Sequence, residues 1–131
     1  MARIGLVTLV VAEYDEAIAF YRDRVGFELV EDTDLGEGRR WVVVAPPGNP
    51  PHPPTALLLA KASGLHQLAR IGDQTGGRVA LFLMTDDLAA DHARMTAAGV
   101  VFVEEPRQES YGTVAVFEDL YGTRWDLIQR G

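Results

Sequence analysis

"VTLVVAEYDEAIAFYRDRVGFELV", residues 7–30, changes its hydrophobic period twice in one short stretch. Upstream and into it, Ile4–Val11 is rich in β-branched residues and reads as a strand. Glu13 and Asp15 then open a helical pattern in which Ala17, Phe20, Tyr21 and Val25 recur at helical spacing. Gly26 stands where such a helix stops, because a glycine tolerates the left-handed residue that ends it. "FELVED" returns to an extended pattern, and "RRWVVVA" and "TALLLAK" supply two further strands. The Pro-rich run between those two, residues 46–54, lacks the N–H donors a central strand needs and reads as a rigid exposed loop. "GEGRR" lacks the strand-to-helix setting of a phosphate loop and reads as a hairpin turn.

The second half repeats this order. "RVALFLM" reads as a strand, "DDLAADHARMTAAG" as a helix, and "VVFVEEP", "GTVAVFE" and "TRWDLIQ" as three strands. A shift of 73 positions carries Glu13 to Asp86, Gly26 to Gly99, Leu29 to Phe102, Val30 to Val103 and Val43 to Val116. Agreement of caps, helix and strand order together points to an internal duplication. The expected organisation is a single α+β domain over residues 1–131, with a first βαβββ module at 4–61, a link at 62–77 and a second module at 78–129.

Composition narrows the function. A chain of 131 residues, 47% hydrophobic and 24% charged, can bury a core of one ordinary domain. Its formal charge of -7 would repel a phosphate backbone, and no Lys/Arg stripe offsets it, so nucleic acid is set aside as a partner. The absence of Cys removes disulfides, thiolate nucleophiles and sulfur-ligated metals. The apolar run near the start is shorter than a membrane span and leads into an amphipathic helix, so the expectation is a cytoplasmic protein with no membrane partner.

With residues 7–30, "DDLAADHARMTAAGVVFV" and "GTVAVFEDLYGTRWDLIQ" in view, the chain resembles the vicinal oxygen chelate superfamily, the glyoxalase/bleomycin-resistance/dioxygenase group, over nearly its whole length. The resemblance implies two tandem βαβββ modules forming a half-open barrel-like cavity, often within a homodimer. It also implies, for catalytic members, a divalent metal held by His or Glu from the first strand of each module and an acid from its last. Carried over residue by residue, those positions fall on Leu6, near Leu58, on Arg78 and on Asp126. Two aliphatic side chains, a guanidinium and one carboxylate make no metal shell, so the expectation is neither metal nor other cofactor.

Other candidates follow from strand alternation and chemistry. Arg124, Asp126 and Ile128 share one face of the last strand, with Trp125 and Leu127 on the other supporting the fold. Arg78 and Phe82 share a face of the strand that opens the second half, so Arg78 and Asp126 are expected to meet as a charge-assisted pair facing the concavity. That pair is either an internal fastener or a device for an oxygen-rich ligand. Thr8 is a small polar group on the Leu6–Thr8–Val10 face, Trp41 is core or a flat cavity wall, and Gln108 and Tyr111 belong to a loop expected to border the cavity. Tyr14 is placed at the helix entrance or a subunit seam. His52, His66 and His92 fall in the Pro-rich loop, the link and the second helix, and do not converge on one position.

Three functions stay open. The preferred one is a metal-independent small-molecule binder in which Thr8, Trp41, Arg78, Phe82, Gln108, Tyr111 and Asp126 supply the surface. The second is a lyase or isomerase in which Asp126 takes a proton and Arg78 stabilises developing negative charge. The third is a structural or protein-partner module whose cavity has filled. A homodimer is compatible with all three.

Overall fold

The computed structural model describes residues 1–48 and 55–131, so His52 and most of the Pro-rich run lie outside the described residues. Two compact units divide between Ile71 and Gly72, inside the expected link. Each carries one four-stranded sheet with its own helix. Strand pairing stays within each unit, giving two separate four-stranded sheets.

In the first unit, β1 (Leu6–Val11) leads into α1 (Tyr14–Ala19), which continues as a π-helical segment at Phe20–Val25. The widening is visible in the hydrogen bonds: Gly26 N and Phe27 N both donate to Tyr21 O, at 3.0 and 2.8 Å. Gly26 adopts φ 97°, the left-handed stop expected from its position. Three strands follow, β2 (Glu28–Gly36), β3 (Arg39–Ala45) and β4 (Ala56–Lys61), giving the sheet order β1-β4-β3-β2. β1 and β4 run parallel, whereas the β3–β4 and β2–β3 pairs are antiparallel. The helix side is filled by Leu9, Val11, Val42, Val44, Leu57 and Leu59, which alternate with residues of the opposite face. On that opposite face Val43, Ala45 and Ala56 form a smaller cluster with Leu58 against it.

A short helix, α2 (Gly64–Leu68), lies in the link. The second unit then repeats the plan with β5 (Leu81–Met84), α3 (Leu88–Ala97), β6 (Val101–Glu109), β7 (Gly112–Glu118) and β8 (Arg124–Arg130). Its sheet order is β5-β8-β7-β6, the same as in the first unit. The α3 entry is capped by the Asp87 carboxylate, which accepts from Ala90 N at 3.0 Å. Phe117 and Trp125 stack at 5.6 Å beneath α3, with Trp125 only 3% exposed, so the supporting role expected of this tryptophan holds. Pro106 sits where the β6–β7 pairing slips between Glu104 and Arg107, as a residue without an N–H requires.

One strand departs from expectation. The strand read from Arg78 starts only at Leu81. Gly76 and Gly77 adopt φ 70° and 104°, and the Thr75 hydroxyl donates to the Arg78 carbonyl at 2.6 Å. That carbonyl is committed to a turn, and ladder contact begins with Ala80 N donating to Arg124 O at 2.9 Å.

Candidate functional site

Register decides which side chains stand beside Asp126. In the second sheet the row reads Phe82, Asp126, Val116, Glu104 across β5, β8, β7 and β6. The matching row of the first sheet reads Thr8, Leu58, Val43, Glu31 across β1, β4, β3 and β2. Val43 and Glu31 lie 73 positions before Val116 and Glu104, so the duplication seen in the sequence is also a duplication of place.

The expected pair of Arg78 and Asp126 is not formed. Among the described residues the two make no ion pair, and Arg78 lies four positions before Phe82, the β5 neighbour of Asp126. Four residues of extended chain span about 13 Å, beyond the reach of a direct contact along the strand. Arg78 instead borders a hollow of about 310 Å³ with Gln74, Glu118 and Arg124. The β5–β8 register, which pairs Phe82 with Asp126, is the cause.

Asp126 has different neighbours. Its carboxyl is pushed above the ordinary carboxylate range by burial, with Arg107 pulling it down and Glu104 pushing it up. Arg107 is itself held by Glu104 and by Glu109, the latter at 2.8 Å. Flanked by Phe82 and Val116, Asp126 has no second donor in its row on either neighbouring strand. The residues at the positions carried over for a metal therefore do not fit one. Among the described residues there is no group of three or more His, Cys, Asp and Glu that could hold a metal ion. His66 is exposed on α2. His92 packs on Phe102, with Nε2 3.1 Å from a Glu105 carboxylate oxygen.

The remaining candidates scatter. Gln108 pairs with Thr113, which pairs with Gln129, and the Gln129 side chain accepts from Leu88 N at the start of α3. That row belongs to the helix side of the sheet, opposite Asp126. Tyr111 is at the β6–β7 turn and 44% exposed. Thr8 lies on the same sheet face as Leu58, and Trp41, level with Ala60, shares that face.

Trp41 is the candidate that the structure places in a large cleft. A cleft of about 620 Å³ within the first unit is lined by Leu35, Trp41, Leu58 and Ala60, with Glu37, Arg39, Arg40 and Lys61 among its polar groups. One wall is tied down by Arg40. Its guanidinium bonds Asp32 at 2.7 Å and Asp15 at 2.8 Å, and sits 5.1 Å from the centre of the Tyr14 ring. The Arg40 backbone N–H donates to the Tyr14 hydroxyl at 3.1 Å, so Tyr14 joins the helix entrance to β3. Asp32 is held below the ordinary carboxylate range by its hydrogen bonds from Arg40. Sequence reading missed Arg40, Arg39 and Leu35. The alternation of Arg39 with Trp41 was the available signal, but nothing local shows that β2 and β4 leave space beside it.

Known proteins share this architecture and much of the sequence. An uncharacterised protein of Shewanella frigidimarina (strain NCIMB 400) is 54% identical over 124 residues, covering 94% of this chain and 90% of its own. The crystal structure of UcmS2 superposes with a TM-score of 0.83 at 33% identity, covering 98% of each chain. That of TnmS3, an antibiotic binding protein from Streptomyces sp. CB03234, gives a TM-score of 0.73 at 30% identity, covering 100% of this chain and 98% of TnmS3. The sequence profile of one family runs across residues 3–127, almost the full length of both repeats. Duplicated modules, matching sheet orders and that profile agree: the chain belongs to the Glyoxalase/Bleomycin resistance protein/Dioxygenase superfamily.

Proposed function

We propose that the protein is a metal-independent binder of a small organic molecule, held in the cleft of the first unit. The observation that carries this reading is the cleft itself, about 620 Å³, in which the apolar side chains of Leu35, Trp41 and Leu58 stand beside the charged groups of Glu37, Arg39, Arg40 and Lys61. Ligand sites combine apolar area for affinity with polar groups for orientation, and this cleft supplies both. Similarity to TnmS3, an antibiotic binding protein, supports the same direction. Of the residues singled out in the sequence, the reading relies on Trp41, with Thr8 on the same face of the sheet.

The proposal takes the protein to act in the cytoplasm, as a homodimer and without nucleic acid. The charge of -7 supports the last point. No helix among the described residues is long and apolar enough to cross a membrane. Phe82 and Met84, 59% and 52% exposed and two apart on β5, supply apolar surface that a second copy would cover.

Retention of a ligand through purification tests the reading. Protein isolated from a cell extract and examined by native mass spectrometry should carry an organic molecule at up to one per chain. Trp41→Ala should arrive empty while keeping its circular dichroism spectrum. Stoichiometric retention of a divalent ion with no organic molecule would overturn the proposal.

A further inference from the structure

We propose that the first-unit cleft selects ligands joining a flat aromatic ring to an anionic group, the ring lying on Trp41 and the anion meeting Arg39. This rests on the small-molecule reading of the cleft and adds the chemical class that it takes.

Strand geometry supplies the first half. Arg39 and Trp41 are two apart on β3 and so project from the same face, with their Cα atoms about 7 Å apart. Trp41 is 37% exposed, a large share for an indole, and Leu35 and Leu58 line the same cleft. An aromatic ring laid on the indole would cover area that water now occupies.

Charge supplies the second half. Three cations border the cleft, and two are already committed. Arg40 is held by Asp15 and Asp32, and Lys61 by Glu13 at 3.2 Å. Arg39 is exposed and, among the described residues, makes no ion pair. Its guanidinium is thus available for a carboxylate, sulfonate or phenolate, which it can grip through two parallel N–H donors. The one acid lining the cleft, Glu37, sits at the hairpin turn with φ 58° and weakens the attraction for an anion. A net charge of -7 makes this local cation matter more, since the rest of the surface repels the same ligand.

Two probes that differ by one charged group test it: 8-anilinonaphthalene-1-sulfonate and the uncharged N-phenyl-1-naphthylamine, titrated calorimetrically. The sulfonate should bind the wild type more tightly than the uncharged probe, by about fivefold as befits an exposed charge pair. Arg39→Gln should abolish that preference with the uncharged probe unchanged, Arg39→Lys should restore part of it, and Glu37→Gln should enlarge it. Trp41→Ala should weaken both probes together. Equal affinity of both probes for the wild type, or a preference that survives Arg39→Gln, overturns the anion proposal and leaves the cleft reading standing. Failure of both probes to bind overturns the cleft reading and this proposal with it.

Discussion

The two repeats of this chain share a sheet order, a helix stop and a row of equivalent residues, yet they are built to different depths. The first helix buries Tyr14, Ala17, Ile18, Phe20, Tyr21 and Val25, whereas α3 buries only Leu88 and Met95. Widening to a π-helix turns Phe20 and Tyr21 into the sheet together, and Phe27 stacks on Tyr21 at 5.8 Å. In the same row of the two sheets the last strand offers Leu58 in one case and Asp126 in the other. The first module is thus heavily packed on its helix side and opens a cleft of mixed apolar and charged lining at its hairpin end. The second carries a partly buried acid among charges. Duplication preserved the frame and released the side chains on it.

The largest test of that contrast is in the helices. Tyr21→Ala should lose about 3–5 kcal/mol, as large aromatic truncations in a closed core do, and Met95→Ala, which removes fewer atoms, should fall toward the lower end of about 2–5 kcal/mol. Urea unfolding of both variants would show it, and equal losses would mean that the two modules are packed alike.

Arginine clamps give a smaller effect. Arg40 joins α1, β2 and β3 by bonds to residues 25 and 8 positions away, whereas Arg107 bonds residues within 3. Bonds that close long loops restrain the fold, while local ones persist in part when the chain unfolds. Arg40→Met should therefore cost up to about 1 kcal/mol after screening, and Arg107→Met should leave the unfolding midpoint where it was. A midpoint shift in Arg107→Met larger than that in Arg40→Met would reverse the ranking.

The smallest effect is a difference of sign. Asp126 is raised by burial, so between the ordinary carboxylate range and its folded value the native state holds more proton than the unfolded one. Its contribution makes stability fall as pH rises through that window, and Asp126→Asn should remove the fall. Asp32 is lowered by Arg40, so its contribution is present above the ordinary range and is lost as pH falls through the folded value. Asp32→Asn should flatten that acid-side loss. Midpoints measured across the acid range would separate the two, and a common sign would contradict the surroundings assigned to Asp126.

Part of this was legible beforehand. The duplicated helices, the left-handed glycines Gly26 and Gly99, and the opposite faces of Trp125 and Asp126 all followed from local periodicity. The poor donor set at Leu6, near Leu58, at Arg78 and at Asp126 came instead from the family resemblance, carried over residue by residue. The candidate site was read less well. Trp41 proved to line a cleft, but its partners there come from β4, the hairpin turn and the start of α2, which no short window connects.

Period and turn chemistry depend on residues within a few positions of one another, so the chain alone determined two βαβββ repeats, their helix stops and the alternating faces of their strands. Register depends on hydrogen bonds between strands far apart in the chain, and only the folded protein decided it. It put Phe82 rather than Arg78 beside Asp126, tied Arg40 to Asp15 and Asp32, and left Arg39 exposed next to Trp41.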